Sequence, residues 1–211
     1  MQHLFVDIET YGGEDLAKSG VYRYASAPDF EVLLFAYAWD DRPVRIVDLT
    51  AGPLPEELRA ALLDPKVRKH AHNAGFERTC LARLLGVPMP PKQWGCTMVL
   101  AAMHGLPLSL DQAAQALGLE AQKDAAGKAL IRYFSNPCKP TRANGGRTRN
   151  LPEHDPERWE AFKRYCVRDV EVERQIRNAL FLEPTEEERD LWVLDQKIND
   201  RGVAVDRKLV C

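Results

Sequence analysis

Polar and apolar residues alternate over residues 3–8, and this period of two predicts a first strand. Residues 31–40 (EVLLFAYAWD) are almost continuously apolar, the pattern of a strand covered on both faces. The turn-forming Asp40-Asp41-Arg42-Pro43 separates it from a third strand at 44–49. Leu58, Leu62 and Leu63 mark a short helix after Pro55, and residues 67–71 a fourth strand. Phe76, Cys80, Leu81, Leu84 and Leu85 then recur at helical steps until Gly86 and Pro88 end the segment. From Thr97 the pattern is mainly helical, over 97–104, over 109–117 with Ser109 as N-cap, and over 124–133. Residues 135–150 interrupt it with prolines and Gly145-Gly146. They carry Lys139, Arg142, Arg147 and Arg149, and no acidic residue falls between Arg132 and Leu151. A long helix follows, with Trp159, Phe162, Cys166 and Val170 along one stripe. Glu183-Pro184-Thr185 punctuates the chain before a further helix over 186–200. Three strands in succession, then alternating strands and helices, predict an α/β fold. Its mixed sheet is flanked by helices, with the first strands joined as hairpins and the later ones parallel.

Composition narrows the class without naming an activity. The 211 residues, 45% of them hydrophobic, suffice for one sizeable core and the beginning of a second unit. No apolar run approaches a membrane span, and no basic leader precedes the first strand, so a cytoplasmic protein is expected. The five cysteines lie apart, without CxxC pairs or histidines at ligand spacing, which points to reduced thiols and away from zinc. A net charge of −2 excludes a protein coated in basic residues, but not a local basic patch beside acidic ligands.

Three short patterns carry candidate chemistry. Asp7 and Glu9 end the first strand two residues apart, so both carboxylates face one side of the sheet. Hard oxygen ligands held in that way suit Mg²⁺ or Mn²⁺. Asn73, Phe76 and Glu77 lie where the fourth strand passes into a helix; taken alone, they read first as a cap and a dipole-favoured acid. Tyr165 and Asp169, four residues apart on the long helix, project from the same face.

In that order, Asp-x-Glu, Asn-x-x-Phe-acid and Tyr-x-x-x-Asp resemble the three exonuclease motifs of the DEDD superfamily. The likeness is to its tyrosine-containing branch, which proofreads in family A DNA polymerases, and it covers residues 1–182. It implies a ribonuclease-H-like fold and a 3′→5′ exonuclease that releases nucleoside 5′-monophosphates from single-stranded or frayed DNA. It also implies two divalent metal ions, Mg²⁺ or Mn²⁺, bridged by Asp7 and completed by Glu9, Glu77 and Asp169. Tyr165 would orient the attacking water. One position departs from the pattern: the second motif normally ends in aspartate, and here it holds Glu77.

Residues 191–206 (LWVLDQKINDRGVAVD) resemble the segment by which phage-type family A polymerases pass from exonuclease into polymerase. The resemblance implies that residues 183–211 begin the connection to a polymerase domain of the same longer chain, and that the fragment is a monomer. Expected contacts to the DNA 3′ end are Thr10, Asn73 and Phe76, with Gly12-Gly13 admitting the terminal nucleotide and Arg142 and Arg147 gripping the strand. Two other readings stay open at this point: a stand-alone exoribonuclease or DNA-trimming enzyme of the same superfamily, and an inactive domain that keeps the fold to bind DNA.

Overall fold

The computed structural model describes residues 2–119 and 125–210, without the side chains of Ala125, Ala126 and Arg207. Among the described residues the sheet has five strands in the order β3-β2-β1-β4-β5. The strands are β1 (Gln2–Tyr11), β2 (Glu31–Trp39), β3 (Arg45–Asp48), β4 (Val67–Ala71) and β5 (Trp94–Cys96). β1 is central, antiparallel to β2 and parallel to β4. The outer pairs continue this, β2 with β3 antiparallel and β4 with β5 parallel. The mixed sheet expected from the sequence is therefore present.

Alternation along β1 divides the core in two. Leu4, Val6 and Ile8 join Leu58 and Leu62 of α2 (Glu56–Leu63) with Cys80, Leu81 and Leu85 of α3 (Ala74–Leu85). Phe5 and Tyr11 point the other way. They meet Leu130 and Phe134 of α6 (Ala125–Phe134) and Trp159, Phe162, Cys166 and Val170 of α7 (Pro156–Ala179). β2 contributes to both clusters, and Val32 to Ala38 are buried without a break, which is why its sequence shows no alternation. A third cluster joins Val172 and Ile176 of α7 to α4 (Thr97–Met103) and α5 (Leu110–Ala116).

The connections differ from expectation at one point. β1 and β2 are antiparallel, yet they are joined by α1 (Leu16–Ser26), not by a hairpin; only β2–β3 is one. Helix α1 escapes a periodicity reading because Leu16 and Tyr22 are exposed and Gly20, at φ 73°, kinks it. β5 was not expected either: three residues after a proline-rich stretch are too few to show a period. Residue 124, the expected start of α6, lies outside the described residues. Ser109 occupies the N-cap position of α5 but makes no side-chain capping bond. By contrast, Thr185 and Glu188 form a reciprocal capping box that starts α8 (Glu186–Arg201).

Helix α8 packs back onto this body. Buried Arg78 of α3 donates to both Asp200 oxygens at 2.7 and 2.8 Å and to Gln196 at 3.1 Å. Tyr22 donates to Asp200 at 2.8 Å, and Trp192 packs against the first core. A short helix α9 (Arg207–Val210) follows. No helix among the described residues is long and apolar enough to cross a membrane.

Candidate active site

Asp7 and Glu9 lie on the face of β1 that looks toward α7, between the buried Phe5 and Tyr11. The register slips between Glu9 and Thr10, so a bulge ends the regular pairing directly after the second acid. Asp7 accepts the Cys166 thiol of α7 at 3.3 Å. Tyr165 and Asp169 flank Cys166 on α7, and Glu77 enters from the first turn of α3, almost fully buried.

Electrostatics ties these groups together. Burial pushes Asp7 up from 3.8 to about 7, only partly offset by the Cys166 hydrogen bond and reinforced by Glu173. Glu9 is held well above the carboxylate range by burial, then by Asp7, Asp169 and Glu77. Burial also raises Glu77 well above its ordinary value, with Asp7 next in importance. The Tyr165 phenol is raised by burial and then by Asp169, Glu9 and Asp7, so it stays protonated at neutral pH. Acids that raise one another in this way share one low-dielectric pocket.

The donor chemistry fits a hard divalent cation. All four expected ligands are carboxylates, and Glu77 keeps its Oε2 buried with no hydrogen-bond partner. Among the described residues, no three His, Cys, Asp or Glu side chains stand together as a finished metal cage. The fit thus rests on the orphaned oxygen and the mutual repulsion, not on a preformed coordination sphere.

The sequence reading omitted Glu173. It continues the spacing of Tyr165 and Asp169 by one more turn, is 1% exposed, and accepts the Thr97 hydroxyl at 2.8 Å. Burial raises it to about 8, offset in part by the Thr97 bond and Arg177. An acid repeated at four-residue steps was its available signal.

The expected substrate contacts divide. Asn73 is exposed in the left-handed region at φ 68° and makes no side-chain capping bond, so the capping role is not the one it plays. Phe76 is half-buried, stacked 6.4 Å from Tyr24. Thr10 is buried and its hydroxyl is engaged with Tyr24 at 2.9 Å, inside the α1 side of the sheet. The space left by Gly12 is taken by the same ring, since a Cβ there would meet Tyr24 Cε2 at 2.5 Å. Arg142 stands exposed on the 135–150 loop. Arg147 is occupied within that loop, donating to the Asn150 side chain at 2.8 Å, to the Asn144 carbonyl and to the Tyr133 hydroxyl. Arg149 lies 3.8 Å over the Tyr11 ring and pairs with Glu31.

The sheet order, with two acids on the central strand and a third element closing over them, defines a ribonuclease-H-like fold of the kind found in RNase D nucleases. Trypanosoma brucei RNase D, solved in complex with RNA U12, superposes with a TM-score of 0.58 at 18% identity, over 97% of this chain and 65% of that one. Escherichia coli RNase D, an exoribonuclease involved in structured RNA processing, gives 0.51 at 17% identity, over 96% and 46%. In sequence, the chain is 61% identical over 212 residues to the DNA polymerase of Bacillus phage SP02. That match takes in all of this chain and 33% of the relative, so the chain spans about a third of that polymerase's length. No family model matches the chain.

Proposed function

We propose that the chain is the proofreading 3′→5′ exonuclease part of a longer DNA polymerase. Residues 1–182 would form the nuclease body, and residues 183–211 the start of the connection to the polymerase domain. The observation that carries this reading is the set of acids, Asp7, Glu9, Glu77 and Asp169, close enough to raise one another and Tyr165, in a chain 61% identical to part of a phage DNA polymerase.

Asp7, Glu9, Glu77 and Asp169 are the residues that would hold two divalent ions, Mg²⁺ or Mn²⁺. When bound, such ions supply the charge that acidifies water and stabilises the attacking and leaving oxygens. The chain does the rest. Tyr165, kept protonated, has a hydroxyl that donates or accepts and so orients water without acting as a full base. Phe76 would supply a stacking surface and exposed Asn73 an amide for the terminal nucleotide, a reading supported by their place at the start of α3 beside Glu77. Arg142, exposed on the 135–150 loop, would be the cation that meets backbone phosphate.

The test is digestion of 5′-labelled single-stranded DNA with Mg²⁺ or Mn²⁺, beside Asp7→Ala and Glu77→Ala. A ladder shortening from the 3′ end, abolished by EDTA and in both variants, is expected. Intact DNA with a folded wild-type chain would sink the proposal, and an equal or faster ladder on RNA would make it an RNA-trimming enzyme.

A further inference from the structure

The phenol of Tyr165 needs a fixed place over the carboxylates, and one face of α6 supplies it. Gly127, Leu130, Ile131 and Phe134 follow one another at helical steps and face α7, with Leu130 and Phe134 in the core shared by the two helices. Phe134 stacks on Phe162 at 5.5 Å and 17°, and Phe162 stacks on Tyr165 at 6.5 Å and 12°. Three near-parallel rings thus run from the far end of α6 to the acids. At the near end Gly127 is buried against the last ring. A Cβ built there presses into Tyr165 Cε2 and lies 2.6 Å from Cδ2 and 2.9 Å from Cζ.

No side chain fits that space. Gly127 sits within a helix, with none of the positive φ values that require glycine, so backbone conformation does not explain it. Alanine is the better helix former, so helix propensity does not explain glycine here either. The close approach to Tyr165 is the feature that a side chain would disturb. We infer that Gly127 is a positioning residue for Tyr165, its missing side chain setting how deeply the phenol sits over Asp7, Glu9 and Asp169. The inference rests on the nuclease reading for its kinetic consequence, but not for its structural one.

The experiment compares Gly127→Ala, Tyr165→Phe and the double variant with the wild-type chain on single-stranded DNA. A ring displaced by about an ångström costs on the order of 100-fold in kcat, with KM held within about threefold. In the Tyr165→Phe background the same substitution should cost less than about threefold, because the hydroxyl it displaces is already gone. Equal losses in both backgrounds, or a wild-type kcat for Gly127→Ala, would overturn the inference. If the wild-type chain cuts no DNA, the nuclease reading fails separately. A crystal structure of Gly127→Ala then decides, and a Tyr165 ring left in place refutes the positioning role. Should Gly127→Ala not fold, Gly127→Ala/Tyr165→Ala is the control: recovery of folding assigns the clash to the ring, and continued failure assigns the glycine to α6 alone.

Discussion

Glu77, in the role proposed for it, is held at a cost to stability. Its Oε2 is buried without a partner, and burial together with Asp7 opposes its charge. Glu77→Gln is therefore expected to cut hydrolysis by at least about 100-fold while leaving the urea midpoint in EDTA equal to or above wild type. A midpoint that falls with activity would show Glu77 to be a structural acid. Glu173 has the opposite profile, because Thr97 donates to it. Thr97→Val leaves that acceptor short of a donor and should destabilise the fold by roughly 1–3 kcal/mol in urea titrations. Glu173→Gln, whose amide oxygen still accepts from Thr97, should cost much less. Asp7, Glu9, Tyr165 and Asp169 stand out in the sequence as candidates because their spacing is itself the signal. Glu173, Gly127 and the engagement of Thr10 and Arg147 do not, since each depends on a partner distant along the chain or beyond a loop.

Among elements, legibility followed burial. β2 and α7 announce themselves because each buries a long run or stripe, whereas α1 buries only Tyr24 and Ala25 and β5 is only three residues long. The same logic ranks their energetics. Phe162 is fully buried between Phe134, Trp159 and Tyr165, and Phe162→Ala should cost about 3–5 kcal/mol, with hydrolysis falling before the fold is lost. Helix α8 depends on fewer contacts, chiefly the fork from Arg78 to Asp200, which is one-third exposed on the acid side. Arg78→Ala should destabilise by about 2 kcal/mol and open the 180–185 linker to limited proteolysis, while activity on short single strands persists. Unchanged protease resistance would mean that Trp192 and its neighbours hold α8 without the ion pair.

For the molecule as a whole, gathering raised acids predicts an unusual pH profile. Asp7 titrates at about 7 and Glu173 at about 8 in the fold, against ordinary values of 3.8 and 4.5. Between these limits the two carboxyls bind more protons in the folded chain than in the unfolded one, a contribution to stability that falls as pH rises; buried His70 and half-buried His72, whose values are lowered, oppose it below their ordinary 6.5. Urea midpoints in EDTA should decline from about pH 4 to about pH 8, and Asp7→Asn should flatten the slope. Saturating Mg²⁺ near neutral pH should restore about 1.4 kcal/mol at tenfold over its dissociation constant, with no such gain in Asp7→Ala. A midpoint that climbs across this range in EDTA would contradict the shared pocket.

The Cys166–Asp7 contact joins residues 159 positions apart, and it carries a consequence in time. During synthesis the sheet's strands leave the ribosome long before α7, and until that helix docks, Asp7 and Glu9 face water as ordinary hydrated carboxylates. A nascent chain therefore holds two acids of the candidate site with nothing to close over them, and their buried, proton-holding state arrives only when α7 has been made and has docked.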